Sequence, residues 1–365
     1  MDTYETLRDG SQAMEVHRDQ NATECGTTRR AERPADASRR NGQSLLADLY
    51  RPIQSPMIAL ERRLNREMQS PYEDVAPLLR HGVNLGGKRL RPAIHLLMAD
   101  ALGGATDANV TIGVVLEMVH TATLIHDDVL DDATERRHVP TVNAKWNSHT
   151  SILLGDYLFS QSFRLAASLD NTRTCSWVGE AARRVCEGEL RQVLLRDELF
   201  LDEPTYIDLI RGKTAELCRV ACSLAAGEAG TDSQVSESLS TYGDQLGVAF
   251  QIADDYLDLW GDDRSVGKTL GTDLQQGKMT LPVIRLLQTC SDPDRRRLVA
   301  VLRGDPDRRA AEVSAMLRHS DAKQYTMNTA IAYKDHAVKS LAVLPDSPAK
   351  RSLESIAQFS IRRSF

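Results

Sequence analysis

From Leu45 to the C-terminus, apolar positions recur every three or four residues, the period of one helix face, and no stretch sustains the alternation of a strand. The pattern predicts an all-α chain. Ser70-Pro71-Tyr72-Glu73 combines a capping box with proline at the first helical position, so a helix is expected to begin there. Pro92 opens another, closed by Gly103-Gly104, and a long helix follows from about Asp107 into an acidic cluster. Further helices are expected at about 150–169, 176–196, 204–228, 233–260, 280–290, 308–319, 322–343 and 349–362. Residues 261–280, with four glycines and alternating charge, read as a functional loop.

With 365 residues and 41% hydrophobic content the chain can bury a large core, and nothing forces a division. Residues 1–42 are polar and charged, with almost no large apolar side chains. They are expected to form a disordered extension before one domain at 43–365. Acidic residues such as Asp2, Glu5 and Asp9 argue against a transit peptide, and the secretory apolar core is missing. No apolar run approaches the ~18 residues of a membrane span. Six cysteines without a CxxC pair read as reduced thiols, which implies a cytoplasmic protein. A net charge of −6 argues against a nucleic-acid partner.

The candidate chemistry lies in a repeated pattern. Asp127, Asp128 and Asp131 form a DDxxD run, and Asp254, Asp255 and Asp258 repeat it, each after an apolar lead-in. On a helix, residues i and i+4 share a face, so Asp127 projects with Asp131 and Asp254 with Asp258. Carboxylates that close repel unless a hard cation neutralises them. Magnesium suits such a site because it uses few carboxylates and shares its remaining positions with phosphates.

A phosphate substrate would need basic residues concentrated locally. Gly86-Gly87-Lys88-Arg89-Leu90-Arg91-Pro92 places three cations on a glycine-rich turn at a helix start, a setting that suits a diphosphate. Arg136-Arg137, Lys213-Thr214, Lys268 and Lys278 add cations elsewhere, and His120 lies two turns before Asp127.

Together these motifs resemble the trans-isoprenyl diphosphate synthases, the polyprenyl synthetase family. The resemblance runs from about Leu45 onward through GGKRLRP (86–92), HTATLIHDDVLDD (120–132), RRHVPTVN (136–143), GDYLF (155–159), GEL (188–190), KTAEL (213–217), FQIADDYLD (250–258) and GKTLGTDLQQGKMTLP (267–282). His138-Val139 departs from it, since the family usually has glycine after the paired arginines. The resemblance implies a single-domain helical bundle of the isoprenoid synthase type with a central cavity. It also implies condensation of isopentenyl diphosphate with an allylic diphosphate, and a homodimer that contacts membrane peripherally to release product. Asp127 and Asp131 would hold two of three magnesium ions and Asp254 the third, with Asp128, Asp255, Asp258 and Lys213 assisting catalysis. Lys88, Arg91, His120 and Arg137 would bind isopentenyl diphosphate. Arg136, Lys213, Thr214, Gln251, Lys268 and Lys278 would bind the allylic partner.

Family precedent also places the floor of the product shaft at Ala122 and Thr123, where small residues imply a medium-to-long, octaprenyl-type product rather than a geranylgeranyl- or farnesyl-type one. Met118 or Val119 lies deeper and could close the shaft sooner. Three rival readings fit less well. A phosphohydrolase built on His126-Asp127 leaves the second DDxxD unexplained. A non-catalytic partner subunit usually loses one aspartate motif, and a terpene cyclase has no use for GGKRLRP.

Overall fold

The computed structural model describes residues 46–196, 198–261 and 270–361. The expected extension at 1–42 lies outside the described residues, as does Lys268. A 3-10 turn at Arg51–Ile53 leads into α1 (Gln54–Glu67), followed by α2 (Ala76–Leu85), α3 (Leu90–Ala101) and α4 (Asp107–Leu130). Ser70 does not open a helix. Its hydroxyl accepts from the Tyr72 amide at 3.2 Å, forming a local turn, and Pro77 instead occupies the first turn of α2. α4 begins at a reciprocal capping box between Thr106 and Asn109.

A two-stranded hairpin, β1 (Glu135–Arg136) with β2 (Val139–Pro140), follows α4 and is the one strand pair among the described residues. Its two-residue turn has positive φ at both Arg137 (55°) and His138 (65°), the form of a type I′ turn. Histidine thus adopts, at His138, a backbone that glycine enters without steric cost. Next come α5 (Val142–Lys145), α6 (Ser148–Ala167), α7 (Arg173–Leu194) and α8 (Glu203–Ile210). The helix expected at 204–228 is interrupted by a π-helical turn, Arg211–Ala215, before α9 (Glu216–Glu228).

α10 (Ser233–Trp260) carries the second aspartate run, and α11 (Thr272–Gln275), α12 (Leu281–Thr289), α13 (Asp292–Leu302), α14 (Pro306–Leu317), α15 (Ala322–Ser340) and α16 (Pro348–Ile361) complete the described chain. α13 was not legible in the apolar pattern because it buries only Leu298 and Leu302; its start is set by the Ser291 cap.

α4 packs against α6 and α3, and α10 packs along α15 and α9. Ile94, Leu97, Ile112, Leu116, Leu158 and Leu224 belong to the main core, and a smaller cluster around Leu274, Val283 and Val313 supports the chain after α10. One expectation is corrected here. α4 is long and apolar enough to cross a membrane by length and composition, yet 78% of that window is buried inside the protein. Its apolarity comes from being enclosed on most sides by other helices.

Candidate active site

The first aspartates lie at the C-terminal end of α4, where the helix dipole disfavours negative charge. Asp127 is half-buried, and burial raises its carboxyl to about 6; Glu189 and Asp131 push the same way, while Lys213 and Arg136 oppose them. Asp128 is 2% exposed in its side chain and accepts from Arg136 Nε (3.0 Å) and Nη2 (2.8 Å). Arg136 therefore braces the hairpin against α4. Asp131 Oδ2 lies 3.5 Å from Lys278 Nζ, which also reaches Asp273 at 4.0 Å, so the two halves of the chain meet at this lysine.

The second aspartates are tied into protein hydrogen bonds. Tyr206 donates its hydroxyl to Asp255 at 2.6 Å, and Gln251 donates its amide at 2.8 Å. Gln251 in turn accepts from Thr214 at 2.8 Å, so one relay joins α8, the π turn and α10. Burial is the main reason that the Asp255 carboxyl stands well above the usual range. Asp258 accepts from the Thr272 hydroxyl (2.7 Å), the Thr272 amide (3.2 Å) and the Asp273 amide (3.3 Å), fixing the start of α11. Asp254 is half-buried on the same helix.

The π turn sets the position of Lys213. Such turns insert one extra residue into a helix and re-aim its side chains. Lys213 Nζ is 2.7 Å from Glu189 and donates to Gln192 at 2.9 Å. Burial works against its ammonium, but Asp127, Glu189 and Asp131 outweigh that and raise its pKa. The turn is gripped by glycines on both sides. A methyl on Gly188 would stand 2.7 Å from the Lys213 backbone nitrogen, and one on Gly247 would collide with the Ala215 backbone. Glu189, Gln192 and Tyr206 were missed as site residues. Only the GEL run hinted at the first, and nothing local distinguishes the other two.

The basic loop meets the same side of α4 two turns before Asp127. Arg91 Nη1 donates to His120 Nε2 at 3.0 Å. His120 is held neutral, first by burial and then by Arg91, Arg137 and Arg136, which suits its role as acceptor. Arg137 Nη1 donates to the Leu85 carbonyl at 3.1 Å and passes directly over Gly87, where a methyl would displace it. Lys88 Nζ lies 5.5 Å over the Phe359 ring, so the C-terminal helix closes this side. The structure thus brings Arg91, His120 and Arg137 together, with Lys88 in the adjoining loop against Phe359, and sets Lys213, Thr214, Gln251 and Lys278 beside the aspartates.

Earlier on α4, Ala122 and Met118 are fully buried one turn apart. Thr123 is half-buried, and its hydroxyl donates to the His120 carbonyl at 2.8 Å. The His126 ring covers Gly155, where a Cβ would collide with it.

Among the described residues, no three His, Cys, Asp or Glu side chains are gathered closely enough to hold a metal by themselves. The donor set still fits a hard cation. Asp127 and Asp131 are oxygen donors crowded by Glu189 at a helix C-terminus, and Lys213 and Lys278 supply positive charge beside them.

Residues 73–319 match the family model described as polyprenyl synthetase. The heptaprenyl diphosphate synthase component 2 of Geobacillus stearothermophilus is 34% identical over 88% of this chain and 99% of its own length. The octaprenyl diphosphate synthase of Escherichia coli strain K12 is 32% identical over 84% of this chain and 95% of its own. The solved polyprenyl synthase of Caulobacter crescentus CB15, complexed with calcium and isoprenyl diphosphate, superposes with a TM-score of 0.81 at 32% identity, covering 88% of this chain and 98% of that one.

Proposed function

This chain belongs to the polyprenyl synthetase family and is a prenyltransferase; from that premise we propose that it condenses isopentenyl diphosphate head-to-tail with an allylic diphosphate to give a medium-to-long, octaprenyl-type, all-trans product. The observation that carries this reading is the pairing of two cationic groups along one side of α4, one beside the aspartates and one two turns earlier at the GGKRLRP loop. Two diphosphates need two such sites.

Asp127 and Asp131 would hold two magnesium ions and Asp254 a third. When bound, the ions supply positive charge to the allylic diphosphate as its negative charge grows. Lys213, Thr214, Gln251 and Lys278 orient that diphosphate, and Arg136 acts beside them while fixing Asp128. Asp255 and Asp258 act mainly through Tyr206, Gln251 and Thr272, holding the acidic end of α10 in place. Lys88, Arg91, His120 and Arg137 place the isopentenyl double bond for attack on the allylic carbon. The diphosphate that leaves takes the proton released in the last step.

The catalytic unit is read as 43–365, acting in the cytoplasm, where the free thiols of Cys218 and Cys222 are stable. Homodimerisation goes with this reading. The relative named as component 2 of a heptaprenyl diphosphate synthase favours a second one, in which the chain acts with a different subunit.

One incubation tests both. Purified protein, farnesyl diphosphate, labelled isopentenyl diphosphate and magnesium should yield long-chain products on chromatography. Inactivity of the pure chain with recovery on adding a second subunit would favour the heteromer, and phosphate release without elongation would end the prenyltransferase reading.

A further inference from the structure

We propose that Arg89 and the buried Glu117, completed by Glu61 of α1, form a positioning clamp that sets Lys88 and Arg91 for isopentenyl diphosphate. This rests on the two-diphosphate reading. Arg89 belongs to the cationic motif, yet its side chain turns inward. Its backbone is left-handed, φ 52° and ψ 38°, at the N-cap of α3, a conformation that non-glycine residues rarely adopt. Such a conformation persists when its surroundings over-determine it. The guanidinium supplies the constraint: Nε donates to Glu61 at 2.8 Å, Nη1 to Glu117 at 2.7 Å and Nη2 to the Val83 carbonyl at 3.4 Å.

The clamp fixes both neighbours. Glu117, with its side chain 2% exposed, and His120 are three residues apart on α4, so one helix face holds Arg89 through the first and Arg91 through the second. The Lys88 carbonyl accepts from the Tyr50 hydroxyl at 2.9 Å, which anchors the loop from the N-terminal side. Gly86 leaves the path of the Arg89 guanidinium clear, where a methyl would collide with it. Charge gives a second reason. Glu117 is the buried counter-charge to Arg89, Arg91 and Arg137, whose mutual repulsion would otherwise spread the site. Tyr50 and Glu61 both precede residue 73, where the family match begins, so the site is completed by a segment outside that match.

The test compares steady-state KM for each substrate in the full-length parent, Arg91→Ala, Glu61→Ala, Arg89→Lys, Glu117→Leu and Glu117→Gln, with thermal unfolding as a check on folding. Arg91→Ala tests the two-site reading and should raise KM for isopentenyl diphosphate. Arg89→Lys and Glu117→Leu should raise that KM about tenfold or more, the scale of losing one charge-assisted hydrogen bond, with kcat and the allylic KM near parental. Glu117→Gln keeps an acceptor for Arg89 and should fall between. Glu61→Ala alters a partner whose side chain is partly exposed and should give a smaller rise in the same KM. If Arg91→Ala raises the isopentenyl KM while Glu61→Ala and Arg89→Lys do not, or raise both KM values equally, the clamp is overturned. If Arg91→Ala leaves that KM unchanged, the two-site reading fails and the clamp fails with it.

Discussion

Lys278 Nζ lies 3.5 Å from Asp131 Oδ2, joining the segment after the second aspartate run to the end of the first. This pair marks the line along which the allylic diphosphate would lie. Lys278→Ala should raise KM for the allylic diphosphate about tenfold and leave the isopentenyl KM near parental, because a charged hydrogen bond is lost on one side only. Equal rises for both substrates would place Lys278 elsewhere.

Asp127 and Asp258 should differ under the same treatment. On the proposed reading Asp127→Ala removes a carboxylate that would hold a cation and should lower kcat by about two to three orders of magnitude, the scale seen when one electrostatic stabiliser is deleted. Asp258→Asn retains an oxygen that can accept from Thr272, so its loss should be smaller. Single-turnover rates with saturating magnesium provide the comparison.

Gly188 has no side chain where α7 meets the π turn. Gly188→Ala should destabilise the protein by about 1–3 kcal/mol through overpacking against backbone, and should lower kcat because Lys213 moves with the turn. A melting curve shifted down with kcat intact would separate packing from positioning.

Ala122 is fully buried on α4, five residues before Asp127. Family precedent puts the floor of the product shaft at Ala122, and on that reading Ala122→Phe should shorten the product. Chromatography of parent and variant products decides it, and identical chain lengths would move the floor deeper, toward Met118.

His95 is fully buried; Nδ1 donates to the Ala221 carbonyl at 2.9 Å and Nε2 accepts from Asn109 at 3.3 Å. Burial lowers its pKa to about 4, while in the unfolded chain it protonates near the ordinary imidazole value of 6.5. The native state therefore binds fewer protons between these values, and stability present above 6.5 is lost as pH falls toward 4. The loss is roughly 3 kcal/mol at its full extent. His95→Gln should narrow its stability gap to the parent between pH 7.5 and pH 5, measured by denaturant midpoints, and a constant gap would reject the titration.

The all-α class, most of the helices and the two aspartate runs follow from the chain alone, because apolar period and i, i+4 geometry are local properties; α13, the π turn and the start of α2 do not. So does the family, whose motifs occur in order along most of the sequence. The left-handed turn at His138 was not legible there, since only the hairpin's twist requires it. Neither was the division of labour among the acids. Asp127 and Asp255 look alike in sequence, yet the first meets Lys213 through the field around the α4 end and the second is bound by Tyr206 and Gln251. Likewise Arg89 stands in a cationic motif with Lys88 and Arg91, and only the packing of α1 and α4 turns it inward to Glu61 and Glu117. Sequence determines which residue types recur and at what helical spacing. The partners that each charge meets depend on contacts between helices distant in the chain, and those contacts arise only when the bundle closes.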